Sequence, residues 1–251
     1  MNIFLQMIRI LSVAVIFTVS AVNMSLNFAH ANQNIVVVEL FTSQGCNLCP
    51  PADELLGELS TQEDILALGF SVDYWNYLGW KDTFAKPECV ARQKKYNKEL
   101  GKSGVYTPQM VIQGRHDIIG SRRDLVHKIV AEERVKIQQQ AGGRPEITFE
   151  LSGDMINLGI SAHVMGGWAT IWIIGYDYEK VVDIEGGELA DQVRKYHNVV
   201  RVIKHIGRWT GQEINLTLSE ADLGGGQYDA YAVLLQQQEV GPIIAAAKLK
   251  K

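Results

Sequence analysis

The chain has 251 residues, of which 47% are hydrophobic, and a formal net charge of −4. This length exceeds the usual domain size of about 100–150 residues, so we expect one large or two modest domains with ordinary apolar cores. Charges of both signs are interspersed, without a basic stripe or an acidic tail. This distribution argues against nucleic acid or an anionic membrane surface as a partner.

The first thirty-one residues have the pattern of a cleaved signal peptide. Arg9 supplies a positive start, residues 10–22 are uncharged and mainly apolar, and Ala29 and Ala31 place small residues where a signal peptidase reads them. Polar residues interrupt the apolar stretch before it reaches the roughly 20 residues of a spanning helix. An uncleaved N-terminal anchor is the alternative. We predict export to the periplasm or secretion, with no stable membrane insertion once the signal peptide is removed.

Residues 34–141 alternate strand and helix patterns. The first strand is a β-branched apolar run suited to burial, and it ends just before Cys46 and Cys49. The next helix opens on two prolines, which a first helical turn tolerates. A later strand is entered through Thr107 and Pro108. The predicted order is strand 34–41, helix 50–59, strand 65–74, helix 83–100, strand 105–112, return strand 116–119 and helix 122–138.

The pattern changes after a glycine-rich segment at residues 141–145, which we interpret as a linker. Residues 146–151 and 155–160 alternate around a Ser-Gly-Asp turn, which predicts a hairpin. Four further short strands and a last one are predicted with little helix between them, at 168–178, 197–206, 213–218, 228–237 and 243–249. This pattern is typical of a β-rich, sandwich-like domain over residues 145–251.

The three cysteines are too few for a disulfide-stapled scaffold. Cys46 and Cys49 form a C-x-x-C motif, which can be a redox dithiol, half of a zinc site or two thiols close by chance. A structural zinc site needs about four ligands, whereas Cys89 stands alone and the histidines show no ligand spacing around it. We therefore predict no metal and no cofactor, and interpret Cys89 as a buried apolar filler.

The position of the C-x-x-C motif favours the redox interpretation. It lies between a buried strand and a helix, so Cys46 is expected at a helix N-terminus, where the helix dipole lowers the pKa of a thiol. The thiolate of Cys46 can attack a substrate disulfide, and Cys49 can then resolve the mixed disulfide. Direction, as reductase or oxidase, stays open.

The chain resembles the thioredoxin superfamily, and more closely the secreted family catalogued as domain of unknown function 1223. The resemblance is carried by residues 38–53 (VELFTSQGCNLCPPAD), 72–75 (VDYW), 79–80 and 105–109 (VYTPQ). It implies an α/β thioredoxin-like domain over residues 34–141, in a glutaredoxin-like order, with Pro108 cis and packed against the cysteine pair. It brings no established reaction.

Further candidates follow from that resemblance and from the motif's surroundings. Thioredoxins carry a buried acid on the strand entering the site, and Glu39 has a similar place, so it is a candidate general base for Cys49. A carboxylate paired with a lysine or arginine is the equally weighted alternative. Thr107 and Pro108 are expected to shape a substrate groove, with Tyr74 and Trp75 as a binding wall or, alternatively, as core residues.

Three functions remain open on these grounds. The first is an exported thiol–disulfide oxidoreductase acting on a protein or small-molecule disulfide or thiol. The second is copper(I) handling by the two cysteines, with His116 as the nearest imidazole in the sequence. The third is a binding module that has kept its fold without turnover.

Overall fold

The computed structural model describes residues 34–140 and 142–251, and the predicted signal peptide lies outside these ranges. The described residues form three α-helices and eleven strands. The helices are α1 Pro50–Ser60, α2 Pro87–Glu99 and α3 Arg123–Gln139. The strands are β1 Val36–Thr42, β2 Ile65–Ser71, β3 Gln109–Ile112, β4 His116–Ile119, β5 Ile147–Ser152, β6 Met155–Ile160, β7 Ala169–Ile184, β8 Gln192–Trp209, β9 Ile214–Ser219, β10 Ala230–Gln237 and β11 Ile243–Lys250.

Eight of these strands form one mixed sheet in the order β11-β10-β7-β8-β2-β1-β3-β4. Strand β1 pairs in parallel with β2 and antiparallel with β3. The other edge of β2 pairs in parallel with β8, through Gly69 and Val199. The long β7–β8 hairpin therefore continues the sheet that begins with β1.

The predicted fold class, an α/β thioredoxin-like N-terminal domain followed by a sandwich-like domain, is wrong. The described residues are mostly β, and strands from both sides of residues 141–145 share the eight-stranded sheet. An alternating pattern shows that a strand has one buried face, but it does not show which sheet the strand joins. The division of the chain into units at residues 141–145 stays a prediction.

Each face of the eight-stranded sheet carries its own core around β1. Val36, Val38 and Leu40 point to the face covered by α1 and α3. Val37 and Phe41 point to the opposite face, where Cys89 and Tyr96 of α2 pack. Successive side chains of a strand point to opposite faces, so only every second β1 residue faces α1.

A second sheet, in the order β5-β6-β9, covers the part of the large sheet formed by β7, β10 and β11. Their facing side chains build a third apolar cluster around Trp209 and Phe149, both of which are fully buried. Within residues 34–140 and 142–251, no helix combines the length and the apolar character needed to cross a membrane.

Candidate functional site

Cys46 and Cys49 form a disulfide between the end of β1 and the start of α1, with their Cα atoms 5.4 Å apart. Two turns shape this loop, since the Cys46 N–H donates to the Ser43 carbonyl and the Cys49 N–H donates to the Cys46 carbonyl, each at 3.1 Å. The cysteine side chains are buried, whereas Leu48 between them is 69% exposed. Leu48 therefore presents an apolar side chain to solvent between the two cysteines.

The start of α1 differs in one respect from the expected helix N-terminus. Cys49 occupies the N-cap position, and Cys46 lies three residues before it. The first two helical positions are Pro50 and Pro51, which have no N–H group and cannot donate a hydrogen bond to a thiolate. Electrostatic stabilisation of a Cys46 thiolate by α1 therefore depends on the helix dipole rather than on these two positions.

Trp75 connects the disulfide loop to the loop that contains Pro108. Its indole Nε1 donates a hydrogen bond to the Thr107 hydroxyl at 2.7 Å. A β-carbon at Gly45 would lie 3.1 Å from the Trp75 β-carbon, so the residue before Cys46 rests against the backbone of Trp75. Trp75 thus contacts both the segment before Cys46 and the Thr107–Pro108 loop.

Pro108 lies close to the first turn of α1. The Thr107–Pro108 peptide bond is cis, as the resemblance implied. The Gly120 N–H donates to the Pro108 carbonyl at 2.9 Å. A β-carbon at Gly120 would lie 3.0 Å from the Ala52 β-carbon and 3.4 Å from the Pro108 β-carbon. The absence of a side chain at Gly120 therefore allows the Pro108 loop to approach the helix that carries Cys49.

The loop that contains Trp80 and Asp82 also holds the segment before the disulfide. The carboxylate of Asp82, which is buried, accepts a hydrogen bond from the Gln44 N–H at 2.8 Å. The Gln44 side chain in turn accepts from the Trp80 indole at 2.8 Å. Burial raises the pKa of Asp82, although three backbone N–H donors lower it in part. Asp82 was not among the residues expected from the sequence.

Asp53 is a buried carboxylic acid in the first turn of α1. Its N–H donates to the Cys49 carbonyl at 3.1 Å, so Cys49 and Asp53 are one helical turn apart. Burial raises the pKa of Asp53 to about 8, while a hydrogen bond from the Thr42 hydroxyl at 2.7 Å opposes the shift. Sequence reasoning missed this residue. The sequence feature that could have indicated it is an acid close to the C-x-x-C-P-P motif and on the same side of the predicted helix as the apolar Leu56.

Glu39 lies on the face of β1 opposite to α1. The Arg92 Nε donates to one carboxylate oxygen at 2.6 Å, and the Tyr96 hydroxyl donates to the other. Gln236 of β10 completes this buried network through hydrogen bonds with Arg92 and Tyr96. The placement favours the alternative interpretation of Glu39, a carboxylate paired with an arginine, and its role as a base stays a prediction.

The aromatic segment after β2 is partly exposed beside the disulfide loop. The Tyr77 ring stacks on Trp75 with centroids 6.3 Å apart, and the Tyr77 side chain is 75% exposed. Tyr74 is half-buried, and its hydroxyl donates to the side-chain amide oxygen Oε1 of Gln93 at 3.2 Å. Burial raises the pKa of Tyr74 to about 12. Trp75 and Tyr77 therefore form an aromatic surface that contacts the segment before Cys46 at Gly45. Tyr74 anchors this surface to α2.

The remaining cysteine and the candidate copper ligand lie in other surroundings. Burial raises the pKa of the Cys89 thiol to about 12, which keeps it protonated at neutral pH. The His116 Nε2 lies 2.9 Å from a carboxylate oxygen of Glu133 on α3. Among residues 34–140 and 142–251, no group of three or more His, Cys, Asp or Glu side chains is arranged to hold a metal ion. The copper(I) alternative stays a prediction.

Comparison with known proteins identifies one family and two similar solved structures. Residues 37–236 match the family described as "Protein of unknown function (DUF1223)". The crystal structure of protein AGR_C_4864 from Agrobacterium tumefaciens is similar with a TM-score of 0.74 and 32% identity, covering 86% of this chain and 93% of that one. HBP35 of Porphyromonas gingivalis shares the fold with a TM-score of 0.57 at 14% identity, over 87% of this chain and 75% of that chain. No curated protein matches. The chain therefore belongs to the DUF1223 family.

Proposed function

We propose that this protein is an exported thiol–disulfide oxidoreductase whose redox centre is the Cys46–Cys49 pair. The observation that carries the proposal is the position of that disulfide. It lies at the start of α1, and Trp75 links it to the Thr107–Pro108 loop. Vicinal cysteines at a helix start are poised to change between dithiol and disulfide, since the helix dipole favours the thiolate.

In the reductase direction, the Cys46 thiolate attacks one sulfur of a substrate disulfide. A bond forms between Cys46 and that sulfur, and the other substrate sulfur leaves as a thiolate. The Cys49 thiolate then attacks the Cys46 sulfur, which releases the second substrate thiolate and forms the Cys46–Cys49 disulfide. The substrate gains two electrons and the protein loses two. The oxidase direction is the reverse, with a substrate dithiol as the electron donor.

Asp53 is our candidate for the proton acceptor of Cys49, in preference to Glu39. Cys49 and Asp53 are four residues apart at the start of a helix, and side chains at this spacing are neighbours. With a pKa of about 8, the Asp53 carboxylate can take the proton of the Cys49 thiol as that sulfur attacks. Glu39 faces away from α1 and is held by Arg92.

The surface around the disulfide supports a polypeptide substrate. Leu48, between the two cysteines, and Tyr77, which stacks on Trp75, are both largely exposed. Tyrosine is enriched among the residues that contribute most binding energy at protein interfaces. We therefore propose that Thr107, Pro108 and Trp75 form the floor of a substrate groove. Tyr74 belongs to this groove as well and anchors it to α2. Export would place this disulfide in an oxidising compartment, where such bonds persist.

The test is disulfide exchange by the purified protein with insulin as a polypeptide disulfide. We expect the wild-type protein to accelerate insulin reduction by dithiothreitol, and Cys46→Ser to return the rate to the uncatalysed value. Cys89→Ser is the matched control, since this thiol is buried away from the disulfide, and it should retain activity. A Cys46→Ser variant with full activity would refute the proposal. So would a wild-type protein that accelerates exchange in neither the reductase nor the oxidase direction.

A further inference from the structure

A cavity of about 340 Å³ opens between α3, the turn between β3 and β4, and β11. Its walls come from the turn between β3 and β4, the last turns of α3, residues 143–145, the loop between β6 and β7, and the start of β11. Cavities of this size hold small organic molecules, and they occur preferentially where structural units meet. The disulfide region contributes no residue to these walls, so the cavity is separate from the proposed redox site.

Three cationic side chains line this cavity against one carboxylate. Arg115, Lys136 and Arg144 carry the positive charges, and Glu133 carries the negative one. The Glu133 carboxylate is 1% exposed and already engaged, with the Lys136 Nζ at 2.7 Å, the His116 Nε2 at 2.9 Å and the Arg115 Nε at 3.9 Å. Its negative charge is therefore largely neutralised by these neighbours. Because three cationic side chains line the cavity against this one carboxylate, the open space has an excess of positive charge.

The two arginines hold like charges close together at this cavity. The Arg144 Nε donates to the Ile244 carbonyl at 2.7 Å, which fixes the guanidinium in the wall. Burial, and then the positive charge of Arg115, lower the pKa of Arg144. An anion placed between two such guanidiniums relieves their repulsion and accepts charge-assisted hydrogen bonds, and the planar guanidinium matches the geometry of a carboxylate.

Part of the remaining wall is apolar. Ile137 of α3, Ile243 and Ile244 of β11, and Met165 of the overlying loop line the cavity beside the charged groups. A bare inorganic ion would leave this surface unused, whereas a ligand with a hydrocarbon part would bury it. We infer that the cavity binds a small organic carboxylate, with its acidic group at Arg115 and Arg144 and its apolar part against these aliphatic side chains.

The inference predicts that chain length and charge both contribute to affinity. We would titrate the purified full chain with sodium hexanoate and with sodium acetate by isothermal titration calorimetry at constant ionic strength. Hexanoate should bind more tightly than acetate, because only hexanoate reaches the apolar wall. Arg115→Gln should weaken hexanoate binding by about tenfold or more, as expected for a lost hydrogen bond to a charged group.

Two further variants keep the test decisive. Lys136→Gln, at a half-exposed position of the same wall, should also weaken binding, and it provides a second readout if Arg115→Gln does not fold. Lys128→Gln removes the same charge from the exposed face of α3, where its side chain is 70% exposed, and should leave the affinity unchanged. Equal affinities for hexanoate and acetate would overturn the inference. So would an equal effect of Lys128→Gln and the cavity variants, since this would indicate surface charge alone.

Discussion

Replacement of Asp53 by asparagine should stabilise the folded protein, and increasingly so as the pH rises. Burial raises the pKa of Asp53 to about 8 from the ordinary value of 3.8. Between these values the folded state keeps a proton that the unfolded state has released, so the free energy of unfolding falls as the pH increases. Asparagine preserves the side-chain size and the oxygen that accepts from the Thr42 hydroxyl, but it does not titrate.

The size of the effect follows from this pKa difference. One such proton contributes about 1.4 kcal/mol per pH unit over the range between the two pKa values. Between about pH 5 and 7, the wild-type protein should therefore lose about 2 to 3 kcal/mol of unfolding free energy relative to Asp53→Asn. Burial raises the pKa of Asp82 as well, so the difference between the two proteins, rather than the wild-type slope, isolates Asp53.

Urea denaturation of the oxidised proteins at about pH 5, 6 and 7 measures this difference directly. Asp124→Asn is the matched control, because Asp124 also lies in the first turn of a helix but is exposed. Its stability relative to the wild-type protein should show only a small dependence on pH. A difference between wild-type protein and Asp53→Asn that stays constant from about pH 5 to 7 would refute the assignment of a raised pKa to Asp53.

Two other substitutions test the contacts around the disulfide, and a third tests the close packing of the turn between β3 and β4. Trp75→Phe removes the hydrogen bond that links the two loops, so it should cost about 1 kcal/mol in urea denaturation and slow insulin reduction; an unchanged rate would contradict the linking role. Glu39→Gln leaves the Arg92 charge buried, so it should cost about 3–5 kcal/mol of stability while the folded variant keeps its exchange rate; a lost exchange rate would restore Glu39 as a base. At positive φ, Gly114→Ala places a β-carbon against the Gly241 carbonyl oxygen, whereas Gly101→Ala meets nothing within 4 Å at a similar φ. The melting temperature should therefore fall more for Gly114→Ala, and equal losses would contradict the close contact.

The local elements that carry the disulfide could be predicted from the sequence. A β-branched run before Cys46 and two prolines after Cys49 predict a buried strand and a helix start, and the structure has β1 and α1 there. Pro108 was expected at the entry to the next strand, and β3 begins at the following residue. These features depend on residues close together in the chain, where propensity and turn chemistry act directly.

The environments of the two acids could not be predicted in the same way. Glu39 is paired by Arg92 of α2 and by a network that reaches Gln236, 144 residues from that arginine. Asp53 is buried in part because Tyr196 of β8 lies close to it. Which face of β1 meets α1, and which strand extends the sheet beyond β2, are set by packing between distant segments. Alternation alone leaves both undetermined.

The central claim is that Cys46 is the thiol that exchanges with substrate. The most direct measurement is the site of covalent trapping in a Cys49→Ser variant, which cannot resolve a mixed disulfide. After incubation of this reduced variant with an insulin disulfide, we expect peptide mass spectrometry to find the substrate cysteine joined to Cys46. Attachment to Cys89, or no mixed disulfide under conditions in which free insulin chains are produced, would contradict the account.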